Sequence, residues 1–169
     1  MRQVRIASLA VDPRSDQPVI ILKPLDEEPG EGLLLPIWIG QAEATAILLA
    51  VEGVPLKRPM THDLLKDVLE TLDTYVERVE ITRVEEGTFY AAIILRGEER
   101  TRVVDARPSD SIALAVRTGA PIYVSEEVLA DAAVSDESIV DSDSEDDAEA
   151  EIARFREFLD HVDPEDFTS

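Results

Sequence analysis

Cysteine is absent from the 169 residues, which removes both a disulfide framework and any thiolate metal site. Lysine is nearly absent: Lys23, Lys57 and Lys66 stand against 37 acids. Histidine occurs only at His62 and His161, so a dedicated zinc site with paired histidines at ligand spacing is not expected. No apolar run approaches the length of a membrane span. There is no phosphate-binding P-loop, no dinucleotide fingerprint and no nucleophile elbow, so no organic cofactor is expected. Also missing is the basic stripe interleaved with aromatics that marks many nucleic-acid binders.

What is present is acid. The net charge is −21, and Ser135–Ser169 carries 14 acids against Arg154 and Arg156, which is −12 of that total. A field of this sign repels phosphate backbones, so a nucleic-acid role has to overcome it locally. Hydrophobic content of 44% is ordinary for a globular domain, and the length suits one core. The opening MRQVRIASLAVD lacks a long apolar segment and reads as a strand rather than a signal peptide; a cytoplasmic protein is the simplest expectation.

Leu33–Gly53 stands out. Leu33–Ile39 is an apolar run of strand length, Gly40 changes the period, and Gln41–Glu52 is rich in helix formers with a stop at Gly53 and Pro55. Apolar residues go nearly all round this helix, which predicts the central packing helix. Glu43 is its one first-turn acid, suited to the positive helix end or to a site. Around it the pattern predicts strands at Gln3–Val11 and Val19–Leu22, and an amphipathic helix His62–Leu72 capped by Thr61. Tyr75–Arg96 reads as a hairpin turning at Glu85-Glu86-Gly87, with apolar residues on both faces of the return strand. A strand Arg100–Ala106, a helix Ser111–Thr118, a strand Pro121–Val124 and a helix Glu126–Ala132 follow. Trp38 is expected in the core or at a subunit interface. The expected fold is a single α+β domain over residues 1–134, with a mixed, mostly antiparallel sheet packed by about three helices. An acidic linker, 135–147, and an amphipathic C-terminal helix, 148–169, complete the chain.

One pattern occurs twice. Arg58-Pro59-Met60-Thr61-His62-Asp63 and Arg107-Pro108-Ser109-Asp110 each set Arg-Pro before a hydroxyl and an acid at a helix start. Free backbone N–H groups, a positive dipole end and a guanidinium form a kit for holding phosphate or carboxylate. The same parts also serve plain capping and ion pairing. His62 beside Asp63 can act as a general base or a metal ligand. Glu43, His62, Asp63, Asp105 and Asp110 can hold Mg²⁺ or Mn²⁺ if folding gathers them.

PIWIGQAEA at Pro36–Ala44, RPMTHDLL at Arg58–Leu65, GTFYAAIIL at Gly87–Leu95 and DARPSDSIALAVRTGAPIYV at Asp105–Val124 together resemble the bifunctional nuclease (BFN) domain family over roughly Arg2–Val134. Several long motifs in one order make the likeness specific. It implies a small α+β domain and nuclease activity on DNA and RNA, as attributed to plant members, but brings no catalytic set with it. On chemical grounds Glu43, His62 and Asp63 are the expected catalytic residues. Arg58, Thr61, Arg107 and Ser109 are expected to bind substrate, and Glu43, Asp63 and Asp110 the cation. The alternative is a non-catalytic, oligomeric anion-binding or protein-interaction module. Either way a homo-oligomer is expected, with no membrane partner.

Overall fold

The computed structural model describes residues 1–28 and 31–136. Eight strands and four helices alternate irregularly: β1 (Arg2–Asp12), β2 (Gln17–Pro24), β3 (Leu33–Trp38), α1 (Gln41–Val51), α2 (Thr61–Thr71), β4 (Tyr75–Glu85), β5 (Thr88–Arg96), β6 (Thr101–Ala106), α3 (Pro108–Thr118), β7 (Ile122–Val124), α4 (Glu126–Ala132) and β8 (Val134–Ser135). The strands form one sheet in the order β6-β5-β4-β7-β1-β2-β3-β8. Every pairing is antiparallel except β4 with β7. This is the mixed, mostly antiparallel α+β domain that the hydrophobic pattern implies. The β4–β5 hairpin turns at Glu86 and Gly87, both with positive φ (49° and 77°), the geometry that matches the twist of paired strands and that glycine adopts freely.

The core gathers Ile20, Leu22, Leu35, Ile81 and Val124 from the sheet with Ile47, Ile112, Leu114 and Val128 from the helices. The helix at its centre is α3, not α1. Seven of its eleven residues, including Ser109, Ser111 and Ile112, are buried, and it packs on β4, β5, α1 and α2. In α1 full burial is confined to Ala44–Ile47, and Val51 in its last turn is exposed. The α2 stripe is amphipathic as expected, yet Leu64, Leu65, Val68 and Leu72 are exposed: this helix meets the domain through α3, on the side of His62 and Leu69. Trp38 is half exposed (50%), since strand alternation sends Ile37 inward and its neighbour outward; its indole N–H donates to Asp12 Oδ2 at 3.1 Å.

The domain does not stop at Val134. β8 pairs with the start of β3, and the Asp136 N–H donates to the Gly32 carbonyl. The Asp136 carboxylate accepts from Lys23, which is 2% exposed and also donates to the Glu31 carbonyl. Ser135 and Asp136 therefore belong to the domain rather than to a linker. The rest of the expected linker, the terminal helix and His161 lie outside the described residues.

Candidate functional site

Two helix starts meet on one side of α3. Pro108 occupies its first turn, where a missing N–H is harmless, so Arg107 falls at the N-cap and Asp110 one turn in. The Arg107 guanidinium grips Asp110 with two donors, Nε to Oδ2 at 2.7 Å and Nη2 to Oδ1 at 3.1 Å. The same Nη2 reaches Glu43 Oε1 at 2.9 Å on the first turn of α1. Gly40 makes room for this. A Cβ there would lie 2.2 Å from Glu43 Oε2, so with any other residue that oxygen would have to swing aside. From α2, buried His62 brings Nε2 to 3.1 Å from Asp110 Oδ1. Glu43, His62, Arg107 and Asp110, drawn from three helices, thus form one cluster.

The electrostatics follow from the contacts. Burial by itself would raise the Asp110 carboxyl, but hydrogen bonds from Arg107 and His62, with their charges, outweigh it and hold the group below the usual carboxylate range. The Arg107 guanidinium is in turn raised, chiefly by its hydrogen bond to Asp110. Its side chain remains 65% exposed, so the cluster presents a cation to solvent.

Asp63 goes elsewhere. One carboxylate oxygen accepts from the Met60 backbone N–H at 2.9 Å and the other from Arg117 Nε at 2.5 Å. Burial pushes this carboxyl up as well, and Arg117, the Met60 N–H and nearby positive charge bring it below the ordinary range. Arg117, 6% exposed, also donates to the carbonyls of Ala113 (2.9 Å) and Ala46 (3.0 Å), bolting α1, α2 and α3 together. Sequence reasoning missed this residue. Its one signal was a lone arginine in the last turn of an otherwise apolar helix, which favourable dipole placement explains just as well.

The other expected residues are dispersed. Thr61 is the first residue of α2 and is exposed; Met60 is the N-cap, and the Asp63 carboxylate, not a threonine hydroxyl, takes the free N–H. Ser109 is buried in the first turn of α3, which starts at Pro108, three residues before the Ser111 that the pattern gave. Asp105 lies exposed on β6. Arg58 makes no ion pair among the described residues. It lines a groove of about 500 Å³ with Leu49, Val54, Pro59, Asp63 and Arg117, so among the described residues the two Arg-Pro units differ: one guanidinium is in an ion pair and the other is not.

The described residues contain no group of three His, Asp or Glu side chains able to hold a metal ion. The reason is visible in the pairings. Arg107 stands between Glu43 and Asp110, where a cation would sit, and Arg117 has drawn Asp63 away. The set Glu43, Asp63 and Asp110 therefore does not fit Mg²⁺ or Mn²⁺ as arranged. Nor is any described helix long and apolar enough to cross a membrane.

An uncharacterized protein of Mycobacterium tuberculosis is 43% identical over 172 residues, covering 99% of this chain and 98% of its own length. Bifunctional nuclease 2 of Arabidopsis thaliana is 34% identical over 103 residues, which are 59% of this chain and 31% of the plant protein. Bifunctional nuclease 1 of Oryza sativa subsp. indica is 31% identical over 107 residues, 62% of this chain and 32% of that protein. The bifunctional nuclease domain itself matches residues 21–137, a span that takes in both Arg-Pro units, all four residues of the cluster and the Asp136 that closes the sheet. The chain belongs to the bifunctional nuclease domain family.

Proposed function

We propose that this chain is a nuclease that hydrolyses phosphodiester bonds in DNA or RNA at the Glu43/His62/Arg107/Asp110 cluster. The observation that carries the reading is the His62–Asp110–Arg107 constellation at the start of α3. An imidazole that donates from Nε2 to a carboxylate held ionised by arginine keeps Nδ1 as its basic nitrogen. That is the arrangement of a general base oriented by an acid. Arg107, exposed at the N-cap of α3, offers a guanidinium and the positive end of a helix to a phosphate on an acidic protein. His62 would take a proton from the attacking water while Arg107 holds the phosphoryl oxygens, with Glu43 setting the guanidinium between two carboxylates. Arg58 would receive the chain on the groove side.

The test is cleavage of labelled single-stranded DNA and RNA by the full chain, with and without EDTA, beside His62→Asn. Cleavage that persists in EDTA and is lost in His62→Asn is expected. Loss in EDTA would mean that a divalent cation displaces Arg107 between Glu43 and Asp110. Absence of cleavage, with retained binding of oligonucleotide, would leave an anion-binding module built on the same cations.

A further inference from the structure

We propose that the groove beside the cluster is a guanine-nucleotide subsite, with the base on Asp63 and a phosphate on Arg58. Its part in cleavage rests on the nuclease reading; the binding itself does not. The groove lies between the end of α1, the connection 52–60 and α3. Its volume of about 500 Å³ is that of a small-molecule site, about 300–1,000 Å³, and gives room for one nucleotide. Leu49 of α1, Val116 of α3 and Val54 of the connection supply apolar walls for the flat faces of a base.

Two charged groups choose the ligand. Arg58 is the outer one: exposed, in no ion pair among the described residues, and shaped to grip a phosphate. Asp63 and Arg117 are the deeper pair, with side chains 31% and 6% exposed. Tying the helices together does not exhaust the carboxylate. It has about four lone-pair sites, of which Arg117 Nε takes one on Oδ1 and the Met60 N–H one on Oδ2. Each oxygen keeps a site, and the two stand side by side. Held ionised, the group accepts and does not donate. Guanine is the base with two adjacent donors, N1–H and the N2 amino group, on its Watson–Crick edge. Adenine and cytosine set a ring acceptor beside the amino group, and uracil flanks its one N–H with carbonyls. Each of those would bring an acceptor against a carboxylate oxygen.

The groove is also placed to serve the cluster. Asp110 and Arg117 are seven residues apart on α3, nearly two full turns, so they share one face about 10 Å apart along the axis. The start of α2 joins them, His62 reaching Asp110 and Asp63 reaching Arg117. A strand with a guanosine in the groove would therefore offer the cluster a bond at a fixed step from that base.

The test is calorimetric titration of the full chain with guanosine monophosphate (GMP), adenosine monophosphate (AMP) and guanosine. GMP should bind at least tenfold more tightly than AMP, the discrimination of one bidentate pair. Arg58→Ala should weaken GMP at least tenfold and leave guanosine unchanged. Equal binding of GMP and AMP, or GMP binding indifferent to Arg58→Ala, overturns the proposal. Asp63→Asn puts a donor where one oxygen was and should shift the preference towards AMP, whose edge pairs an acceptor with a donor. That ratio does not depend on the fraction of protein folded, and an undiminished preference for GMP refutes the role of Asp63. Cleavage is tested separately, on a labelled oligoadenylate carrying one guanosine. Cuts should fall at one fixed step from the guanosine. Cuts without regard to it, by a chain that does not prefer GMP, refute the subsite and leave the nuclease reading standing. Selective GMP binding by a chain that cleaves nothing upholds the subsite and refutes the nuclease reading.

Discussion

Arg117 is the place where the geometry predicts the largest loss of stability from a single side chain. Arg117→Met keeps most of the aliphatic stem but removes the charge and the donors. The Ala46 and Ala113 carbonyls lie within helices and keep a backbone partner each, so the cost concentrates on Asp63, left ionised with only the Met60 N–H. Removing one partner of a fully buried pair costs about 3–5 kcal/mol; the Asp63 side chain is 31% exposed, and water will recover part of that, giving about 2–4 kcal/mol. For a domain of this size the thermal midpoint should fall by roughly 8–16 °C. The assay is a thermal melt with a urea titration as check, together with Asp63→Asn and the double variant. The double variant should lose less than the sum of the singles, by about 1–3 kcal/mol, because the carboxylate that Arg117→Met strands is already gone. A midpoint within 2 °C of wild type for Arg117→Met would refute the reasoning and make the pair a surface contact.

Arg107→Ala is the counterpart: the guanidinium is 65% exposed and Asp110 keeps His62, so it should cost less stability than Arg117→Met, while cleavage or oligonucleotide binding falls at least tenfold, and a larger stability loss than that of Arg117→Met with binding intact would reverse its role. His62→Asn should fold normally and cleave at least a hundredfold more slowly, as read in single-turnover rates; unchanged cleavage removes it from the chemistry. Gly40→Ala should cost little in either assay, because the atom that a Cβ would meet, Glu43 Oε2, ends a flexible side chain and the Oε1 that pairs with Arg107 lies 3.7 Å away; a loss as large as that of Glu43→Gln would show that the carboxylate has no other seat. Asp110, with its pKa lowered on folding, adds stability that is complete above the ordinary carboxylate pKa of about 4 and is lost as pH falls through the folded value. The gap between the thermal midpoints of wild type and Asp110→Asn should therefore narrow below about pH 4, and a constant gap down to pH 3 would contradict it.

Most of the architecture is legible from local pattern. Alternation in β4 and β5 and the Glu86-Gly87 turn specify the hairpin, and apolar residues on both faces of β5 place it inside the sheet, between β4 and β6. Depth is less legible. Apolar residues circle α1 and stripe α2, but how much of each is covered depends on where α3 lies, and that is a long-range fact. The site divides along the same line. Arg107 with Asp110 is a local pair, three residues apart, and can be foreseen from the motif. The contacts of His62 with Asp110 and of Asp63 with Arg117 span 48 and 54 residues, and adjacent side chains at the start of one helix go to opposite ends of another. Nothing in the spacing of His62 and Asp63 says that they part company, so the two Arg-Pro units look equivalent in sequence and are not.

The same long-range logic bears on where the chain can be cut. By composition the domain ends at Val134, and a truncation there would seem to remove only an acidic tail. Lys23 forbids it. The ammonium is 2% exposed, and its partners are the Glu31 carbonyl and the Asp136 carboxylate, itself largely covered. A chain ending at Val134 keeps the lysine and discards its counter-ion, along with Ser135 of β8. Stranding one member of a buried pair costs about 3–5 kcal/mol, or roughly 12–20 °C in a domain of this size. A chain ending at Glu137 retains the pair and should melt well above the chain ending at Val134. The mechanism has its own control: Lys23→Met in the chain ending at Val134 replaces a stranded charge by an apolar side chain of similar length and should recover much of the loss. If the two truncations melt together, Asp136 is not what holds Lys23. If Lys23→Met brings no recovery, the missing β8 pairing rather than the stranded charge accounts for the loss.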